Sequence, residues 1–170
     1  MSEKVIVITG GSGEMGCQVS HDLAKNGFIV VFTYNNNKEK ANEVETSIKS
    51  FCPKSFCYKV DVSNSEDVKT FSSILEKKFN HIYGLVNCAG ISPSSDLLVD
   101  LTEEMWDKIL DVNLKGTFLM CKYILPLIIK GGQGRIINIS SIHGKNPPSM
   151  RTAYGASKFG VIGLSQALSK

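Results

Sequence analysis

Two hydroxyls, a phenol and an ammonium stand at suggestive spacings near the end of this 170-residue chain. Ser140 and Ser141 precede Tyr154, with Ser141 thirteen positions ahead of it, and Lys158 follows four positions after. On one helix Tyr154 and Lys158 share a face. A free tyrosine titrates near ~10, which makes it a poor acid–base group at neutral pH. An ammonium one turn away favours the phenolate and improves it. A serine hydroxyl could hold a substrate oxygen as charge develops on it. On spacing alone, a Tyr-x-x-x-Lys pair is also a common surface arrangement, so it needs a second site to give it meaning.

That second site is a glycine-rich stretch near the N-terminus, Thr9-Gly10-Gly11-Ser12-Gly13-Glu14-Met15-Gly16. Gly11, Gly13 and Gly16 fit Gly-x-Gly-x-x-Gly between a strand and a helix, a pattern that lets backbone approach a pyrophosphate and helix pack on strand. The helix N-terminus would offer free N–H groups and partial positive charge. Glu14 puts an anion at that terminus. Its side chain is expected to turn outward and to weaken cofactor binding modestly. About twenty residues further on, where an acid would hold the ribose 2′-OH of NAD, the chain reads Thr33-Tyr34-Asn35-Asn36-Asn37-Lys38, with no carboxylate before Glu39. Amides at Asn35 and Asn36 with a nearby lysine suit a 2′-phosphate, so NADP(H) is expected over NAD(H); a polar loop that selects neither is the alternative.

The elements that must position these groups follow from the apolar pattern. Val5–Thr9, Ile29–Tyr34, 56–60, 83–88 and 135–140 read as short buried strands. Helices are expected over 15–26, closed by Gly27, then over 38–51, 65–79, 102–129 and 153–170. Val19, Leu23 and Ala24 mark the inner face of the first. Ser63 or Ser65 is expected to cap the third, ahead of Glu66 and Asp67. Pro126 is expected to kink the long helix or mark its last turns. Strand and helix alternate without repeat or linker, which argues for one α/β domain over residues 1–170, a doubly wound parallel sheet with helices on both faces. Ligands bind such sheets at the carboxyl ends of the strands. Asp61-Val62 after the third strand, with Asp61 alternatively a helix cap, and Asn87-Cys88-Ala89-Gly90 after the fourth are therefore cofactor-binding candidates, the small residues leaving room for a flat group.

Composition sets the remaining bounds. Nineteen basic against sixteen acidic residues give a net charge of +3, too little for a nucleic-acid partner. No run approaches the ~20 apolar residues of a membrane span, and the N-terminus shows no export signal. Five cysteines without Cys-x-x-Cys or a histidine at ligand spacing imply reduced thiols and no metal. A cytoplasmic location is expected. Of the histidines, His21 and His81 read as surface or strand-flanking residues, and His143 could touch substrate. Lys130 and Arg151 could meet an acidic carrier.

Together these stretches resemble the short-chain dehydrogenase/reductase family. ITGGSGEMG is similar to its cofactor turn, DVS to its adenine-side motif, NCAG to its sheet-stabilising Asn-Asn-Ala-Gly, VNLKG to its asparagine segment, and SS…YGASK to its Ser…Tyr-x-x-x-Lys centre. The resemblance implies a Rossmann-type fold. It also implies Tyr154 as proton donor, Lys158 as partner of the nicotinamide ribose, Ser141 as substrate-positioning serine and Asn113 as holder of a relay water. Asn113 otherwise reads as a polar residue facing a gap in the long helix. GRIINISS, VNLKGTF and YGASKFGVIGLSQALSK are most similar to 3-oxoacyl-[acyl-carrier-protein] reductases. This implies NADPH-dependent reduction of a carrier-bound β-keto thioester in fatty-acid or polyketide synthesis. Sugar, alcohol or other small-carbonyl dehydrogenases are the alternative, and a truncated non-catalytic nucleotide-binding protein is another. Family members carry further strands and substrate-covering helices past the point matching Lys170, so the family fold is expected to lack its last strands here, with the fifth strand an open edge. A homodimer or homotetramer through the two longest helices is expected. The turn departs from the single-domain pattern Thr-Gly-x-x-x-Gly-x-Gly, which would put glycine where Glu14 stands.

Overall fold

The computed structural model describes residues 4–92 and 97–170. Five parallel strands form one sheet in the order β3-β2-β1-β4-β5: β1 (Val5–Thr9), β2 (Ile29–Tyr34), β3 (Phe56–Lys59), β4 (Gly84–Asn87) and β5 (Arg135–Asn138). The order reverses between β1 and β4, which opens a crevice at the carboxyl ends of those two strands.

The central strands are buried on both faces, as their β-branched runs require. Alternation sends Val5 and Val7 into one core and Ile6 and Ile8 into the other. The second core is covered by α1 (Glu14–Lys25) and α2 (Lys38–Lys49) through Ala24, Ala41, Val44 and Ile48. Val19 and Leu23 flank Ala24 there, as read from the sequence. Gly27 ends α1 in the left-handed region at φ 83°, its N–H donating to the Ala24 carbonyl.

The opposite face carries α3 (Ser65–Lys78) and α5 (Gly116–Lys130), with Val68, Phe71, Leu75, Met120 and Ile124 fully or nearly fully buried. The cap of α3 is Asn64, not Ser63 or Ser65: its Oδ1 accepts from the N–H groups of Glu66 and Asp67. Ser63 instead folds back, donating its N–H and hydroxyl to Asp61 Oδ1 at 2.9 and 2.6 Å. Asp61 thus closes a turn and is not the helix cap.

The expected single helix over 102–129 is three pieces in one rod. α4 (Glu103–Leu110) passes through a π-helical turn, Asp111–Lys115, into α5. Thr102 caps it by accepting from Met105 N. Pro126 lies inside α5, which continues to Lys130. Within the rod Glu103–Lys130 the most apolar 18 residues reach a mean hydropathy of 1.4, and half of that window is buried, as in the core helix of a folded domain. Its apolar face is spent on the core, where Leu119, Ile124, Leu127 and Ile128 lie beneath the sheet. α6 (Thr152–Leu168) packs on α4 and the π turn. β5 is an outer strand, half-exposed along its length, with a groove of about 460 Å3 between it, α5 and α6.

Candidate functional site

At the crevice, Gly10 takes φ 65°, and a Cβ there would lie 2.9 Å from the Ala89 backbone. Only glycine accepts both the left-handed conformation and that approach. Gly11 N–H donates to Thr33 O at 2.9 Å, tying the turn to β2, and a Cβ on Gly11 would strike Phe32 at 2.5 Å. Gly13 N–H donates to Gly10 O. A Cβ on Gly16 would stand 2.3 Å from that same oxygen, so Gly16 lets α1 press onto the turn. Gly13 occupies the α1 cap with no side chain to satisfy the first turn. The N–H groups of Glu14, Met15 and Gly16 therefore form an anion cradle. Ser12 is half-buried beside it, and Glu14 and Met15 are exposed.

From this turn a groove of about 290 Å3 runs across the strand ends. Gly10, Asn35, Asn36, Asp61, Val62 and Ala89 line it, all marked in the sequence, and Gly90 completes its wall. Asn37 is committed elsewhere, capping α2 through Lys40 N. Thr33, Ile91, Lys108 and Val112 also line the groove and were not anticipated. Lys108 and Val112 lie four apart on the rod, a spacing that could have signalled a shared face; the others carry no motif. Among the described residues, Thr33 Oγ1 is buried there without a partner, a state costing ~1–3 kcal/mol. A ligand hydroxyl entering the groove would relieve it. Backbone cradle, orphaned hydroxyl and missing Cβ atoms fit a dinucleotide.

Asn87 sits as the sheet-stabilising motif implies. It is 3% exposed, and its Nδ2 donates to Asn138 Oδ1 at 2.8 Å and reaches Cys121 Sγ at 3.5 Å. It joins β4 to β5 beneath the crevice and does not line the groove. Ala89 N–H donates to Thr9 Oγ1 at 2.9 Å, which pins the loop after β4 to β1.

The chemistry-bearing side chains converge on the other side of that loop. Asn113 sits in the π turn, fully buried. Its Oδ1 accepts from Ile91 N at 2.8 Å, and its Nδ2 donates to Ile91 O at 3.0 Å and Ser157 Oγ at 3.1 Å. One amide thus sutures the loop after β4 to the rod and to α6. A Cβ on Gly90 would lie 3.2 Å from Asn113 Oδ1 and 3.7 Å from Lys158 Nζ, so glycine keeps open the corner where the two meet. Lys158 is 6% exposed, and its Nζ donates to Ile139 O at 2.8 Å and lies 5.8 Å from the Tyr154 ring centroid. Burial pushes the Lys158 ammonium below the ordinary lysine range, with Cys88 pulling it partly back. Burial pushes the Cys88 thiol up to about 11, against the pull of Lys158. Cys88 is therefore a neutral thiol at physiological pH.

The two serines divide their work. Ser140 Oγ donates to Lys158 O at 2.9 Å, fastening β5 to α6. Ser141 caps a 3-10 turn, Ile142–Gly144, with its Oγ accepting from His143 N at 3.2 Å. Ser141 keeps its own proton to donate. Of the histidines, His21 contacts Ser47 at 3.5 Å and His81 packs against Gly131. His143 lies edge-to-face on Tyr154 with centroids 5.8 Å apart. Arg151 Nη1 donates to Ser92 Oγ at 3.0 Å.

A parallel sheet with strand order 3-2-1-4-5 and a glycine turn at its switch point defines the Rossmann-type class of nucleotide-binding fold. Within it, the short chain dehydrogenase profile matches residues 4–170, and the chain belongs to that family. The 3-oxoacyl-[acyl-carrier-protein] reductase FabG of Staphylococcus epidermidis is 33% identical over 167 residues, covering 98% of this chain and 68% of the relative. Two solved structures superpose with a TM-score of 0.92 over 97% of the chain. One is an NAD+-bound xylitol dehydrogenase, 27% identical, of which this chain spans 63%. The other is a metagenomic short-chain oxidoreductase in complex with NADP, 33% identical, of which it spans 74%.

Proposed function

We propose that this chain, folded as one domain, interconverts a carbonyl and an alcohol with NADP(H), reducing a 3-oxoacyl thioester on an acyl carrier to the 3-hydroxyacyl thioester. The observation that carries the reading is Lys158, whose Nζ lies 5.8 Å from the Tyr154 ring centroid and borders Gly90 together with Asn113 Oδ1, at the wall of the groove. When bound, the nicotinamide nucleotide supplies the hydride to the carbonyl carbon. Ser141 donates a hydrogen bond to the carbonyl oxygen, and Tyr154 delivers the proton that makes it a hydroxyl. Lys158 holds its buried ammonium toward that end of the site, oriented by Ile139 O. Similarity to the FabG reductase supports the thioester substrate.

Asn35 and Asn36, exposed at the end of β2 with Lys38 close behind them in the chain, support NADP(H) over NAD(H). The half-exposed Phe118 on α5 and Phe159 on α6 support a homodimer or homotetramer through those helices. A cytoplasmic location completes the proposal. The likeness to the xylitol dehydrogenase favours a second reading, oxidation of a sugar alcohol with NAD+. A panel decides: NADPH with an acetoacetyl thioester against NAD+ with xylitol. Turnover of the thioester alone supports the first reading, and turnover of xylitol alone overturns it in favour of the second.

A further inference from the structure

We propose that His143 is a positioning residue for Tyr154, its imidazole bracing the phenol ring so that the hydroxyl faces the substrate. The inference rests on the reading of Tyr154 as proton donor. Among the described residues, the Tyr154 hydroxyl has no hydrogen-bond partner, which leaves it free for a substrate oxygen. Its direction must then come from contacts to the ring. Two such contacts are Lys158 Nζ, 5.8 Å from the centroid, and the His143 ring, also at 5.8 Å and tilted by 86°. An edge-to-face pair of this kind favours one relative orientation over others.

The histidine is itself held fast. Ser141 Oγ accepts from its N–H, and Gly144 N–H closes the turn onto Ser141 O at 2.9 Å. A Cβ on Gly144 would come within 2.6 Å of Ser140 Oγ and 2.8 Å of Lys158 O, so the turn lies hard against α6. From the α6 side, a Cβ on Gly155 would meet Pro147 at 2.7 Å and the His143 carbonyl at 3.5 Å. Two glycines therefore let turn and helix dock as one unit, with the imidazole edge-to-face against the phenol. Among the described residues, the Nδ1 of His143 is buried and unpaired. The contact that its ring makes within the protein is the edge-to-face packing on Tyr154.

The test compares His143→Ala, His143→Asn and His143→Phe in the full chain. Alanine and asparagine both lower kcat about three- to tenfold, the scale of one aromatic contact, with KM for NADPH unchanged. Phenylalanine, which keeps a ring and has no polar atom, restores most of the loss. Restoration by asparagine but not phenylalanine would overturn the proposal, because the polar group would then be the working part. A second readout needs no turnover. In protein carrying ring-labelled tyrosine, the NMR signal assigned by its loss in Tyr154→Phe shifts and broadens in the alanine variant and recovers in the phenylalanine variant. An unmoved signal overturns the brace. If the wild type itself turns over no carbonyl, the reading of Tyr154 as donor fails, and the NMR result still decides whether His143 holds the ring.

Discussion

The proposed nucleotide half of the crevice, at the ends of β1 and β4, is shaped by backbone, whereas the proposed catalytic half, at the end of β5 and the start of α6, is shaped by side chains. In the first, Gly10, Gly11 and Gly16 each stand where a Cβ would meet backbone or a core ring within 3 Å. The residues between them, Glu14 and Met15, point into solvent. In the second, the supporting strand is an outer one, and precision comes from hydrogen bonds to main-chain oxygens: Ser140 to Lys158 O, Lys158 to Ile139 O, and Asn113 to Ile91. A backbone-built site tolerates variety at its exposed positions and none at its glycines. A site built from side chains fails one group at a time.

The comparison breaks most visibly at Gly16. Gly16→Val places a side chain on Gly10 O, 2.3 Å from where its Cβ must go. Overpacking of this kind costs about 3 kcal/mol, so NADPH affinity falls about 100-fold in a fluorescence titration. Retained affinity would show that the turn is not rigid. Asn113→Ala tests the suture between the halves. It strands Ile91 N–H and Ile91 O, which predicts about 2 kcal/mol lost in urea unfolding and a larger fall in turnover than in NADPH affinity. Equal falls would place Asn113 in the nucleotide half. The smallest effect is at Glu14. Removing an exposed acid from the α1 N-terminus by Glu14→Ala tightens NADPH binding about two- to fivefold at low salt, a gain that fades as salt screens it. No change at low salt would mean that Glu14 does not compete with the pyrophosphate.

Much of the nucleotide half was legible because its signals are local. β1 and β2 have the bounds their β-branched runs announce, and the glycine frame falls between strand and helix as its spacing requires. What was not legible depends on tertiary contact. The π turn at Asp111–Lys115, which carries Asn113 into the interior, has no propensity signature, and the sequence read it as ordinary helix. The N-cap of α3 passed to Asn64 because Ser63 was taken by Asp61. Asn87 was legible as a sheet-stabilising residue from its motif, but its partner Asn138, 51 residues away, was not. The Tyr154–Lys158 pair was visible as a spacing. The depth of Lys158 and the bracing of Tyr154 by His143 depend on how the turn after β5 packs, which no spacing records.

The division of labour is tested most directly at Tyr154. NADPH affinity and NADPH oxidation with an acetoacetyl thioester are measured side by side for the wild type and Tyr154→Phe. The account predicts unchanged affinity and a turnover lower by about 100- to 10,000-fold, the contribution of one positioned proton donor. Equal turnover in the two proteins, or no turnover in a wild type that still binds NADPH, would contradict it.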